Sequence, residues 1–312
     1  MQSTNEDRYN QAISYITSLN RLGSKLGLAV INELLFRLGN PEKKLPFVHV
    51  AGTNGKGSTV FMIAAALTAA GYKTGMYTSP SVVEFSERKR INMKAVDKEI
   101  FLDAFDAVIT ECEKMFKEGF ERPTEFETVT AIALKIYADS GCDIAVLETG
   151  LGGRYDATNA IPAPEVAVIT SVSRDHMKQL GDTLSKIAFE KCGIIKDGCP
   201  VVTYARQPAQ AQDEIVKQCN EKGSMLTIPD MNALKIKKLS INGTEFSYYK
   251  KDYATLLVGE HFAINAITVI EALHILRGKG YKIEESHIAS GIAAPLIAAR
   301  IEIISSSPVI IL

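Results

Sequence analysis

The feature that most constrains this chain is a short apolar run, Phe47-Val48-His49-Val50-Ala51, leading straight into Gly52-Thr53-Asn54-Gly55-Lys56-Gly57-Ser58-Thr59. A strand, a glycine-rich turn and a helix in that order build a loop whose backbone N–H groups can surround phosphate oxygens. The helix dipole favours the same charge. Lys56 can neutralise the β/γ charge and Ser58 or Thr59 can hold Mg²⁺, while Thr53, Asn54, Gly55 and Gly57 complete the cradle. Val50 stands where the strict GxxxxGK[ST] pattern has its first glycine, and Gly57 follows the lysine, so the motif is a variant of the common one. The expected ligand is a nucleoside triphosphate.

The surrounding pattern agrees with such a loop. Apolar runs at 47–51, 74–78, 143–147, 165–170 and 200–203 alternate with helical stretches at 57–70, 97–117, 128–140, 183–195 and 207–221. Strands separated by helices predict an α/β fold: a mostly parallel, P-loop NTPase-like sheet with helices on both faces. Residues 5–39 read as helical and end at Gly39-Asn40-Pro41. From 224 to 258 the texture turns to short strands, with Ile241-Asn242-Gly243-Thr244 as a hairpin turn, and a helix follows at 261–277. The domain boundaries expected are 1–45 for an N-terminal helical segment, 46–295 for a central nucleotide-binding domain and 296–312 for the start of another. Pro308-Val309-Ile310-Ile311-Leu312 reads as the opening strand of that last piece.

Composition excludes several classes. With Lys+Arg 35 against Asp+Glu 36, nothing favours a nucleic acid or an anionic membrane as partner. The basic stretches Arg88-Lys89-Arg90 and Lys235–Lys238 read as solvated surface. Five scattered cysteines without a CxxC pair argue against zinc and against a disulfide framework. The most apolar long stretch, 60–70, is shorter than the roughly 20 residues a membrane helix needs, and Met1–Arg8 is unlike a signal peptide. A cytoplasmic protein is the expectation.

Ligands of an open parallel sheet bind beyond the carboxyl ends of its strands. Besides the loop, three such ends carry polar residues. Met76-Tyr77-Thr78-Ser79-Pro80 offers Ser79, Leu147-Glu148-Thr149-Gly150 offers Glu148, and Ser171–His176 offers Asp175 and His176. Singly, Glu148 reads equally as a surface charge and His176 as a helix cap; their common edge favours one Mg-nucleotide site. In the 183–195 helix, Lys191 falls on the stripe of Leu184, Ile187 and Ala188. Periodicity leaves two outcomes open: an inward lysine of depressed pKa, or one snorkelling along the flank.

The string Val48-His49-Val50-Ala51-Gly52-Thr53-Asn54-Gly55-Lys56-Gly57-Ser58 resembles the signature of the folylpolyglutamate synthase and dihydrofolate synthase family within the Mur ligases. Lys25-Leu26-Gly27-Leu28 and Leu38-Gly39-Asn40-Pro41 fit the same family. The resemblance implies ATP-dependent addition of L-glutamate to dihydropteroate or a folyl-glutamate by a monomeric enzyme. It implies that Ser58, Ser79, Glu148 and His176 surround two Mg²⁺ ions, and that Lys191, in Phe189-Glu190-Lys191, is carbamylated and joins them. Lys56, Lys191 and His176 are then the catalytic candidates. Thr124-Glu125-Phe126-Glu127 and Tyr155-Asp156-Ala157-Thr158-Asn159 place Thr124, Phe126 and Asp156 near the folate, although Phe126 reads equally as core. His261 and Asn265, in Gly259-Glu260-His261-Phe262-Ala263-Ile264-Asn265, match nucleotide contacts, with Phe262 where the family has Gln. Arg300 and Glu302 match what remains of a further ATP-contacting motif. The family continues past the position of Leu312 into a Rossmann-like, glutamate-binding domain. A chain ending there is expected to lack that domain and to bind Mg-ATP weakly.

Overall fold

The computed structural model describes residues 5–19, 27–80, 85–294, 303–306 and 309–311. In chain order, α1 (Asn5–Ser18) and α2 (Ala29–Arg37) precede β1 (Phe47–Ala51), α3 (Lys56–Ala69) and β2 (Thr74–Tyr77). A hairpin of β3 (Lys89–Ile91) and β4 (Lys94–Ala95) leads to α4 (Lys98–Lys117), α5 (Glu125–Asp139), β5 (Ile144–Glu148) and β6 (Val166–Ile169). Then come the one-turn α6 (Met177–Leu180), α7 (Leu184–Cys192), β7 (Val201–Thr203), α8 (Ala209–Glu221) and β8 (Leu226–Thr227). The three strands β9 (Leu234–Ser240), β10 (Gly243–Tyr248) and β11 (Lys251–Thr255) are followed by α9 (Glu260–Gly278) and α10 (Glu285–Ala293). The last described pieces are β12 (Ile303–Ser306) and β13 (Val309–Ile311), paired antiparallel. The expected terminal strand is therefore present, with a partner that the sequence analysis did not anticipate.

The main sheet runs β4-β3-β2-β5-β1-β6-β7-β8, parallel from β2 to β8, with β3 and β4 antiparallel at one edge. Because successive side chains point to opposite faces, β1 divides between two cores. Val48 and Val50 pack with Met76, Val146 and Val168 under α3, α9 and α10. Phe47 joins Tyr77, Leu147 and the apolar faces of α1, α2, α4 and α5. A third cluster, Ala51, Ala167, Ile169 and Val201, lies beneath α7 and α8. Thus α3 is apolar all round and enclosed over most of its length, as expected of a helix held between sheet and helices. It packs tightly on Gly291 of α10, where an added Cβ would stand 2.6 Å from Ala66 Cβ and 2.7 Å from Met62 O. The helix that begins at the phosphate loop is accordingly fixed on every side.

The β9–β11 sheet matches the expected small β-rich region, with the turn at 241–242. One surface assignment is overturned. Arg88 and Lys89 are 7 % and 1 % exposed, because β3 pairs with β2 and turns them toward Phe85, Phe101 and Phe126. Lys235, Lys237 and Lys238 lie exposed on β9, as expected.

Candidate active site

At the carboxyl end of β1 the chain takes two conformations that only glycine adopts readily. Gly52 has φ 154°, and a Cβ there would stand 1.8 Å from Thr170 Oγ1. Gly55 has φ 83° and its α-carbon faces the Asn265 amide, 2.7 Å from where a Cβ would lie. These contacts place the turn between β6 and α9, so Asn265, which the resemblance gave as a nucleotide contact, lies against the loop. His261 is exposed at the start of α9, its ring against Phe262, which is buried. The first turn of α3 has no acidic residue and no side-chain cap, so its N–H groups are free to meet an anion.

The loop is tied to the β6 end by a two-stranded clip. Thr53 N donates to Ser171 O at 2.7 Å, Ser173 N donates to Thr53 Oγ1 at 3.1 Å, and Ser171 Oγ donates to Asn54 O at 3.2 Å. Gln207 holds the same segment from behind, donating to Thr170 O and accepting from Val172 N at 2.9 Å. The loop and the Ser171–His176 strand end were both singled out in the sequence, but Gln207 was not: it lies 35 residues from Val172 and outside any motif. His176 follows this clip in the left-handed conformation, φ 48°, exposed and 3.7 Å from Asp175.

The register of β2 on β5, Tyr77 opposite Leu147, brings the next strand ends together. Ser79 N donates to Glu148 Oε2 at 3.3 Å, and Glu148 is buried. Ser58, 2 % exposed, and Thr59, fully enclosed with its hydroxyl unpartnered, lie on the first turn of α3. Among the described residues no three His, Cys, Asp or Glu side chains cluster as a metal cage. Hydroxyl and carboxylate oxygens at strand ends suit Mg²⁺, which keeps waters and phosphate oxygens in its shell. The donor set fits that ion.

Lys191 points inward, 3 % exposed, and donates to Gly52 O at 2.7 Å, which decides between the two outcomes left open by periodicity. Burial, helped by the Lys56 ammonium nearby, lowers its pKa to about 8. Lys56 itself donates to Thr53 O at 3.1 Å. Both lysines therefore converge on the phosphate loop.

On the other side of β5, Thr124 caps α5 in a reciprocal box: its N–H and hydroxyl donate to Glu127 Oε2, each at 2.8 Å, and Glu127 N donates back. Its hydroxyl thus has a structural task. Phe126 is half-buried, the far end of its ring against Gly150, where a Cβ would be 2.6 Å from Cζ. Arg88 lies 5.8 Å from that ring and forms a 2.5 Å ion pair with Glu125. Asp156 is buried; burial pushes its pKa up, against hydrogen bonds from Thr158 and Leu151. Arg300 and Glu302 lie outside the described residues. Of the rest, the structure brings the loop, Asn265 and Lys191 together, pairs Ser79 with Glu148, and sets Phe126 against Gly150 at the start of the loop that Asp156 closes.

Residues 50–273 match the Mur ligase middle domain. The dihydrofolate synthase/folylpolyglutamate synthase of Bacillus subtilis is 36% identical over 309 residues, 96% of this chain and 71% of that protein. The folylpolyglutamate synthase of Lacticaseibacillus casei is 34% identical over 311 residues, 97% of this chain and 72% of the relative. A solved FPGS–AMPPCP complex superposes with a TM-score of 0.89 at 32% identity, covering 97% of this chain and 76% of the other. An FPGS–AMPPCP–folate complex gives 0.88, again at 32% identity, with the same shares covered. With a phosphate loop, a strand order and relatives that all agree, this chain belongs to the Mur ligase family, in its dihydrofolate synthase/folylpolyglutamate synthase branch.

Proposed function

We propose that this protein catalyses ATP-dependent attachment of L-glutamate to dihydropteroate or a folyl-glutamate. The γ-phosphoryl group passes to a substrate carboxylate, and the amine of glutamate displaces phosphate from the resulting acyl phosphate. The observation that carries this reading is a phosphate loop on which Lys56 and Lys191 both converge, with Ser79 and Glu148 joined at the adjoining strand ends and the Phe126 ring against Gly150 just beyond them.

Thr53 to Thr59 hold the triphosphate through backbone N–H groups, and Lys56 offsets the charge that develops on the transferring group. Asn265, seated on Gly55, bounds the nucleotide on the α9 side, with His261 at the helix start. Ser58, Ser79, Glu148 and His176 are the residues that would hold two Mg²⁺ ions. Those ions supply charge neutralisation and alignment of the two anionic reactants. Phe126 offers a flat apolar wall to a pterin, with Thr124 and Asp156 beside it. Lys191 is suited to carbamylation: at about 8 its amine is neutral in roughly one molecule in ten at pH 7, and only the neutral amine adds CO₂. The product would be an anion where a cation stood, beside Gly52 of the phosphate loop, and could add a metal-binding oxygen there. Residues 46–295 are the unit that carries this chemistry.

The test is release of inorganic phosphate by the full chain with ATP, Mg²⁺ and L-glutamate. Release that depends on dihydropteroate or tetrahydrofolate, with the glutamylated product seen by mass spectrometry, is expected. Release with a nucleotide-linked cell-wall peptide and none with a pterin would overturn the substrate assignment. For Lys191, ¹³C-bicarbonate should give a carbamate resonance that is lost in Lys191→Met.

A further inference from the structure

The middle of the central strand carries a histidine where every strand neighbour is apolar and enclosed. His49 is wholly buried between Val48 and Val50 in β1, and a polar ring there is costly unless it is hydrogen-bonded. Its Nε2 lies 2.8 Å from Thr158 Oγ1. The Thr158 hydroxyl has a single proton and donates it to Asp156 Oδ1. Asp156 acts as acceptor on both oxygens, taking Thr158 N at 3.0 Å on Oδ1 and Leu151 N at 2.8 Å on Oδ2. Toward His49, then, Thr158 can only accept. The imidazole must carry its proton on Nε2 and leave Nδ1 bare, and Nδ1 is the ring nitrogen that has no partner.

This relay ends in the glycine-rich loop 149–156, which touches Phe126 at one point and the helix of Lys191 at another. Gly150 lies against the far end of the Phe126 ring. Gly153 sits on the carbonyls of Lys191 and Glu190, where a Cβ would stand 2.6 and 3.0 Å away, and Arg154 N donates to Glu190 O at 2.8 Å. The Asp156–Leu151 bond closes the loop on itself between those contacts.

We infer that His49 is a positioning residue, which acts through Thr158 and Asp156 to set the shape of loop 149–156 and so the spacing between the pterin wall and the helix of Lys191. The part of this that concerns the pterin rests on the function proposed above. Burial, with the Lys196 charge nearby, lowers the His49 pKa to about 3, so the relay keeps one protonation state across the working range.

Three measurements on the full chain test the inference. In ¹⁵N-histidine-labelled protein, His49 should show a protonated Nε2 and a bare Nδ1, unchanged between about pH 5 and pH 8. A protonated Nδ1, or titration in that range, would overturn the relay. Amide exchange at Leu151 should be about tenfold or more faster in Thr158→Val than in wild type and near wild type in Thr158→Ser. Equal protection in all three proteins would overturn the link to the loop. Folate binding should weaken about tenfold in Thr158→Val, with AMPPCP binding within about twofold, and His49→Gln, which restores an N–H near the Nε2 position, should keep most of the affinity. Folate affinity unchanged in Thr158→Val would overturn the positioning role. Wild-type protein that binds no folate would instead overturn the proposed function, and amide exchange would still decide the inference.

Discussion

Single residues show most directly how burial is turned to chemical use. Lys191 sits on an apolar stripe with one hydrogen bond, to Gly52 O, and its pKa falls to about 8 from an ordinary 10.5. Below pH 8 the amine is charged in both folded and unfolded chains, and the folded state bears the full cost of the buried charge. Between 8 and 10.5 the folded protein has already released its proton while the unfolded chain has not, so stability rises with pH across that window. Lys191→Met removes the penalty and the hydrogen bond together. In CO₂-free buffer at pH 7 the variant should be more stable than wild type by about 2 kcal/mol in urea unfolding. That advantage should shrink between pH 8 and 10.5, and a constant gap would assign the titration to another group. The side chain is thus held at a cost to the fold, as expected of a group kept for reactivity.

At the scale of elements, the helix that presents Phe126 is set by its first turn. The Thr124–Glu127 box satisfies orphan N–H groups at the start of α5 and fixes the direction in which residue 126 leaves the helix. Thr124→Ala should cost about 1 kcal/mol in urea unfolding and Thr124→Ser much less. If the hydroxyl served ligand binding alone, the alanine variant would unfold like wild type. The same element shows what could be read in advance. The apolar run of β1, the loop glycines and the α7 stripe are local signals and were legible, whereas Thr124-Glu125-Phe126-Glu127 was read only as a family motif and its reciprocal cap emerges with the structure. Arg88 and Lys89 were not. A basic triplet looks solvent-facing until its partners are known, and Glu125 is 37 residues away in sequence. The short edge strands β3, β4 and β8 carry too few residues for periodicity, and their places come from pairing with β2 and β7. His49 read as one more strand residue, because its hydroxyl partner stands 109 positions on.

Across the whole molecule, the small β9–β11 sheet is joined to the nucleotide side through α9. Phe246, Tyr248 and Tyr253 enter the same core as Val48, Val50 and α3, and two tyrosine hydroxyls reach carboxylates on the helices behind them. Tyr248 donates to Glu271 at 2.6 Å; Tyr253 donates to Glu285, which also pairs with Lys251 at 2.6 Å. Burial pushes both carboxyls up, but hydrogen bonds from His274 and Tyr248 to Glu271, and from Lys251 and Tyr253 to Glu285, outweigh it and leave each below the ordinary 4.5. The stabilisation they give is complete above 4.5 and is lost as pH falls below it toward their folded values. Amide protection in β10 and β11 should therefore decline below that pH before protection in β1, which is held between β5 and β6 by backbone ladders. Because α9 carries Asn265 against Gly55, AMPPCP affinity should weaken over the same interval. Glu285→Gln should flatten both changes while lowering protection at neutral pH, since the amide still accepts from Tyr253 but no longer pairs with Lys251. Simultaneous loss of protection in both sheets would show instead that the small sheet and the main sheet unfold as one unit.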